Sequence, residues 1–188
     1  MTRLHLSVAT EWRLETGSSL SDVKEWERIR GEVLERDGYT CVFCGFTSSS
    51  FMEVHHLEGK YYDQSGDNLA TMCPFCHACH HIGFAGINGR GKLIELDRKA
   101  FLGQEKINRF LLDSIWKKGS FEYFRMLEER LPVREDHGAK GLVMLADIIL
   151  DKKKKNGETV PPDNLIFMPV PEKFDICKFI LRRRETWL

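Results

Sequence analysis

The sequence predicts an α+β fold, on three observations. Two CxxC pairs, Cys41-Val42-Phe43-Cys44 and Cys73-Pro74-Phe75-Cys76, flank one short module. Between them Phe51 to Leu57 reads as a strand that ends on His55-His56, and Asn68-Leu69-Ala70-Thr71-Met72 returns the chain to the second pair. Behind the module, apolar residues recur at helical spacing. Zinc prefers tetrahedral thiolate ligands, and two intervening residues let one turn present both sulfurs to the same ion. Cys41, Cys44, Cys73 and Cys76 are therefore the expected structural zinc site. A knuckle donating the first two ligands and a helix start donating the other two make a treble-clef arrangement. A disulfide pair is the competing reading, and both the spacing and a reducing compartment argue against it.

Each element has its own warrant. Arg3 to Val8 and Trp12 to Glu15 alternate apolar and polar side chains, as two short strands would. Val23, Trp26, Ile29, Val33 and Leu34 recur at helical spacing behind Asp22, with Glu25 completing a capping box and Gly38 stopping the helix. Arg28, Arg30 and Arg36 on that helix interleave with Glu25, Glu27, Glu32 and Glu35, which reads as a solvated face. Gly59 to Asp67 is polar and loop-like, and Pro74 suits the first turn of a helix. Gly83, Gly86, Gly89 and Gly91 mark a flexible stretch that turns into Leu93-Ile94-Glu95-Leu96, without the Lys-Ser/Thr ending of a phosphate-binding loop.

The remainder reads as helical. One apolar stripe is Ile107, Phe110, Leu111 and Ile115; a second is Phe121, Phe124 and Leu127 behind the N-cap Ser120; a third is Leu142, Leu145, Ile148 and Ile149. Lys152 to Lys155 reads as a basic loop, Pro161 to Pro171 as extended, and Lys173 to Arg184 as a last amphipathic helix. A boundary near residue 103 divides a zinc-binding domain, 1–103, from a helical C-terminal region, 104–188.

Composition narrows the function classes. Hydrophobic content of 42% suffices for a packed core and argues against global disorder. The 28 basic and 28 acidic residues cancel, so any nucleic-acid binding needs a local patch. Met1 to Ser7 carries no apolar run of signal length, and no segment suits a membrane helix; the best, Gly141 to Leu150, is broken by Asp147. A cytoplasmic location without membrane insertion is expected. Cys177 reads as a buried apolar thiol, whereas Cys79 and His80 leave the zinc ligand set open by one residue.

A strand-borne His-His, an Asn on the return and histidines behind the second CxxC are the ingredients of a second, catalytic site. His77 and His81 are four residues apart and share a helical face, whereas His55 and His56 point to opposite faces of their strand. The pattern Arg36-Asp37-Gly38-Tyr39-Thr40-Cys41, Val54-His55-His56, Asn68-Leu69 and Cys73-Pro74-Phe75-Cys76-His77 resembles the HNH, or ββα-metal, nucleases. That resemblance implies His55, His77 and His81 as ligands of a divalent ion, Mg²⁺ or another, separate from the zinc. It implies His56 as general base and Asn68 as the residue that orients it. A histidine suits this task because its reference pKa lies near neutral pH.

A longer resemblance runs from about residue 4 to 112. Trp12-Arg13-Leu14, Tyr39 to Phe46, Asp67-Asn68-Leu69, Cys73 to Cys79 and Gly91 to Leu96 are similar to the IcmJ (DotN) family. Its members are HNH-like zinc proteins of type IVB secretion systems that attach to the coupling-protein ATPase and have lost the catalytic histidine pair. This sequence departs from them in keeping His55, His56, His77 and His81. Two readings follow. The one placed first is an adaptor on the coupling ATPase of a type IV secretion or conjugation apparatus, peripheral to the inner membrane. The alternative is an active metal-dependent HNH endonuclease acting on DNA.

Overall fold

The computed structural model describes residues 3–8, 23–58, 63–97, 103–156 and 161–185. Trp12 to Glu15 lies outside them. Helix α1 (Val23–Arg36) leads to a turn that carries Cys41 and Cys44, then strands β1 (Glu53–His56) and β2 (Leu69–Met72) pair antiparallel, with His55 opposite Ala70 and His56 opposite Leu69. Helices α2 (Pro74–His80) and α3 (Ile82–Ile87) follow, then β3 (Gly91–Leu96). The rest comprises α4 (Gln104–Lys118), α5 (Glu122–Arg130), β4 (Val133–His137), α6 (Gly138–Asn156), β5 (Leu165–Pro169), a 3-10 turn Pro171–Lys173 and α7 (Asp175–Glu185). The result is a mixed α/β fold with two small antiparallel sheets, the second in the order β4-β3-β5.

Four expectations about local structure are corrected. Arg3 to Val8 forms no strand: the alternation of Leu4, Leu6 and Val8 buries those side chains, while Ser7 bonds through its backbone to Cys79 O and Ile82 N. The glycine-rich stretch is not flexible, because Gly83 and Gly86 are buried within α3, and a Cβ on Gly86 would lie 2.8 Å from Ala139 O and 2.9 Å from Val143 Cγ2 of α6. Gly86 lets two helices approach closely. Gly91 does the same in β3, where a Cβ would fall 2.3 Å from the Phe167 ring.

Nor is the C-terminal part wholly helical. It adds β4 and β5 on either side of β3, so the proline-punctuated segment contains a central-sheet partner. Lys152 to Lys155 is the last turn of α6 rather than a loop, with Lys155 bonded to Asp151 at 2.7 Å. One buried cluster runs from Leu4 through Phe75 and Leu111 to Phe167 and Cys177. Cys177 is a buried thiol, as expected, which burial pushes up to about 12.

Two details of this core set the position of the site. Arg36 donates to Gly66 O at 2.6 Å and Leu69 O at 2.7 Å, and the adjacent Asp37 Oδ2 accepts from Thr71 N at 2.8 Å, so the end of α1 is tied to β2. Burial disfavours a charged Asp37, yet the Arg36 guanidinium and the Thr71 donors hold its carboxyl below the usual range. Of the three arginines read as a solvated face, Arg28 is one, bonded to Glu25 and Glu32, whereas Arg36 and Arg30, which donates to Met52 O at 2.8 Å, bond backbone carbonyls instead.

Helix packing gives a paired prediction. Ala in a helix interior is ordinarily more stable than Gly by about 1 kcal/mol. Gly31→Ala in α1, with nothing within 4 Å of the new Cβ, should show that gain in urea denaturation. Gly86→Ala should instead lower stability, because the Cβ meets the backbone oxygen of Ala139. Equal gains at both positions would mean that α3 and α6 do not pack as described.

Candidate functional site

The first metal-ready group is made by two turns. In the knuckle, Cys41 N donates to Phe46 O and Gly45 N to Cys41 O, both at 2.8 Å, and Gly45 takes the left-handed φ of +70° that the reversal requires. On the other side Cys73 caps α2, its Sγ accepting from Cys76 N at 3.4 Å, with Pro74 in the first turn. The Sγ atoms of Cys41, Cys44, Cys73 and Cys76 all lie within 4.8 Å of one another, those of Cys44 and Cys73 at 3.6 Å. Tetrahedral zinc with sulfurs at about 2.3 Å would hold them about 3.8 Å apart.

Electrostatics fit a cation there too. Hydrogen bonds from the Cys44, Cys73 and Cys76 thiols hold Cys41 far below the usual thiol range, whereas burial and the neighbouring sulfurs push Cys73 and Cys76 well above it. The Cys41 thiolate is stabilised, and ionisation of Cys73 and Cys76 awaits a positive charge. Zinc supplies that charge, and the four thiols are the donor set it prefers. The residue left open by the sequence is engaged elsewhere: Cys79 Sγ donates to Phe75 O at 3.2 Å and burial pushes its thiol up, while His80 Nδ1 sits 2.9 Å from Ser7 Oγ.

Sequence reasoning missed a support for this group. Asn108, wholly buried on α4, donates to Cys76 Sγ at 3.4 Å and Cys79 Sγ at 3.5 Å. Gln104 Nε2 donates to Asn108 Oδ1 at 2.9 Å, and its amide also bonds Phe167 of β5 through both backbone groups. Helical spacing of Gln104 and Asn108 was the available signal, since two amides on the apolar face of α4 need partners.

A second group lies across α2. β1 alternation buries His55 and turns it toward α2, and the ligand nitrogens of His55, His77 and His81 lie within 4.8 Å of one another. His55 Nδ1 and His81 Nε2 are 3.2 Å apart, and the His77 and His81 ring centroids 4.6 Å. His81 falls just past α2, at its C-cap, yet still shares the face of His77. Glu53 Oε2 sits 2.5 Å from His77 Nδ1, which leaves His77 Nε2 to face the group. Glu53 was also missed, although it stands two residues before His55 and hence on the same face of β1.

Burial, reinforced by the neighbouring imidazoles, pushes His55 down to about 2 and His81 to about 3. Burial likewise pushes His80, whose ring lies 4.8 Å from that of His55, down to about 4. Neutral imidazoles with converging lone pairs are what a divalent ion requires. The donor set therefore suits a metal, with the nitrogen ligands that transition ions favour.

His56 points the other way, stacked on Trp26 with ring centroids 5.5 Å apart and planes 13° from parallel. Burial lowers its pKa, against the opposing charge of Asp63. Asn68 is buried where β1 and β2 join: Oδ1 accepts from Glu58 N at 2.9 Å, Nδ2 donates to Asp63 O at 2.8 Å, and its carbonyl accepts from Leu57 N at 2.8 Å. Through these bonds Asn68 holds the backbone on either side of the turn that follows His56.

A strand pair and helix carrying histidines beside a four-cysteine group define an HNH-like domain, and comparison with known proteins agrees. The chain is 38% identical over 74 residues to the H-N-H endonuclease F-TflIV of Escherichia phage T5, covering 37% of this chain and 31% of that one. It is 34% identical over 62 residues to a probable HNH endonuclease of Lactococcus phage SK1, covering 29% and 66%. It is also 33% identical over 81 residues to the type 4 apparatus protein DotN of Legionella pneumophila, covering 43% of this chain and 36% of DotN. The chain is a DotN-like protein with an HNH-like domain. It spans about a third of the length of DotN, 36%, and of F-TflIV, 31%. No family model matches it.

Two measurements test these groups. Asn108→Leu, which removes both N–H···S bonds, should weaken zinc retention about 10- to 100-fold in chelator competition, the range for lost supports of metal ligands. The second concerns pH. His81 is depressed in the folded state, so below its ordinary value of about 6.5 the unfolded chain binds more protons. The stability that His81 permits is complete above that pH and declines as pH falls toward about 3. Wild type should therefore lose thermal stability relative to His81→Gln between pH 7 and pH 5, and an unchanged difference would contradict the burial described.

Proposed function

We propose that the domain is a metal-dependent endonuclease that hydrolyses phosphodiesters in DNA. The observation that carries this reading is the convergence of ligand nitrogens within 4.8 Å, from His55 on β1, the strand that also carries His56, and from His77 and His81 at α2. His55, His77 and His81 would hold a divalent ion, which when bound offers positive charge to the phosphate and the departing oxygen. His56 stands at the end of β1, where the strand stops separating its two faces, and would take the proton of a water as its oxygen bonds to phosphorus. The bond to the departing oxygen breaks, and that oxygen takes a proton from solvent. Trp26 stacking fixes the plane of the His56 ring, and Asn68 fixes the backbone that carries it. Glu53 orients His77 by accepting its Nδ1 proton. The zinc unit, read as a treble clef from its knuckle and helix-start pairs, sets α2 against β1.

A second reading, compatible with the first, places the chain in a type IV secretion or conjugation apparatus as an adaptor on the coupling-protein ATPase. The 81-residue match to DotN supports it. Among the described residues no helix is long and apolar enough to cross a membrane, which suits peripheral attachment. Binding of the cognate coupling protein's cytoplasmic segment in calorimetry is expected, and its absence would remove this reading.

The nuclease reading is tested by incubating purified protein with supercoiled plasmid and single-stranded DNA in Mg²⁺, Mn²⁺, Ni²⁺ or Zn²⁺. General-base catalysis contributes about 10²- to 10⁴-fold, so His56→Ala should lose at least about a hundredfold in rate while still binding metal. His77→Ala should lose the second metal equivalent as well as activity. Absence of cleavage with every ion sinks the proposal.

A further inference from the structure

We propose that the cleft beside the histidine group binds an unpaired nucleotide, with its phosphate on Arg90 and its base on Phe84; the proposal rests on the nuclease reading and adds the form of the substrate. The cleft, about 240 Å³, is bounded by Glu53, His77, His81, Phe84 and Arg90. Pockets that enclose drug-sized ligands hold about 300–1,000 Å³. This space is of the order of one nucleotide unit.

Arg90 is built as an anion contact. Its backbone is fixed at both ends, N donating to Ala85 O and O accepting from Val170 N, each at 2.8 Å. Its guanidinium carbon lies 5.7 Å from the centroid of the Phe174 ring, which is itself buried and packed against Phe75 at 4.8 Å. Among the described residues no carboxylate lies within ion-pair distance of it; Asp175, which feels its charge, is bonded to Lys178 at 2.9 Å. The guanidinium is thus held on a rigid aromatic support with its donors uncommitted to a protein carboxylate. A phosphate oxygen is the partner such a fork fits. Among the described residues the single carboxylate on the cleft wall, Glu53, is occupied by His77. With a divalent ion on the histidines, the cleft is net positive.

Phe84 supplies the other half. It stands in the first turn of α3 with half its surface exposed, although α3 is otherwise buried on the side of Ile82, Ala85 and Gly86. An aromatic face beside a cationic groove is a stacking platform for a base, and only an unpaired base offers its own face. The neutral net charge of the chain agrees, because a protein that tracks duplex backbone needs a broad basic surface.

The test uses the full chain as His56→Ala, which blocks cleavage, with Mg²⁺ and a fluorescein-labelled short oligothymidylate, alone or annealed to its complement. Anisotropy should report tighter binding of the single strand. Since stacking is worth about 1–3 kcal/mol per base, Phe84→Leu, which keeps apolar volume, should weaken binding at least about fivefold, and Phe84→Trp should retain it. Arg90→Ala should weaken binding about tenfold, with Arg90→Lys in between, as expected for a lost charge-assisted phosphate contact. Unchanged binding in the Phe84 and Arg90 variants, preference for the duplex, or no binding of either DNA overturns the proposal. DNA cleavage by the wild type alongside any of these results leaves the nuclease reading intact. Binding that depends on both residues, without cleavage under any divalent ion, keeps the cleft and removes the nuclease reading.

Discussion

Four sulfurs brought to one buried point are the constraint on which the rest of this chain depends. Cys44 and Cys73 stand 29 residues apart, and their meeting closes everything between them into a loop whose ends are fixed. That loop is the β1–β2 pair, too short to persist alone in water. Arg36 and Asp37 fasten it to α1, and α2 starts on the same cysteines that close it. The histidine group inherits its geometry from this closure: His55 comes from inside the loop, His77 and His81 from the helix that seals it. Proton sharing among the sulfurs favours the Cys41 thiolate and opposes those of Cys73 and Cys76, so a cation at their centre stabilises an arrangement that these thiols alone resist.

The buried amides extend that dependence to the far sheet. Gln104 pairs with the backbone of Phe167 as a strand would, and passes the contact through Asn108 to the sulfurs of Cys76 and Cys79. Each of these polar groups is wholly or nearly buried, where an unmade hydrogen bond costs about 1–3 kcal/mol. The cysteine group and β5 therefore share one network, and a disturbance at either end leaves a buried donor without its acceptor. His80 provides another junction, with Ser7 on one side and the ring of His55 on the other.

The cysteine and histidine groups were legible in the sequence because both are local patterns: CxxC in a turn, alternation along β1, a four-residue step past α2. Glu53 was equally legible by alternation and went unread. The second sheet was not, since nothing in Val133-Arg134-Glu135-Asp136-His137 resembles a buried strand; β4 is an edge with an exposed, charged face, and its pairing with β3 is set by residues some 40 positions away. Glycine misled for a related reason. Gly83 and Gly86 carry no mark that separates a hinge from a close helix contact, and only the approach of Ala139 and Val143 decides between them. At the N-terminus, the alternation of Leu4, Leu6 and Val8 did signal burial, but the partner is the α2–α3 junction rather than another strand.

Three imidazoles packed against one another, with His55 buried and His77 and His81 half-buried, are costly to fold around. Burial makes His55 and His81 resist protonation, and two of their nitrogens face each other at 3.2 Å. Apolar side chains of similar volume would fill the space without an unsatisfied polar atom. The cysteine group already closes the domain, so this second cluster is not needed for closure. An adaptor surface has no use for it either, because a partner reads exposed side chains such as Met144 and Ile148 on α6, not a histidine buried under β1. The feature that does need neutral, converging nitrogens is a bound divalent ion beside an open cleft.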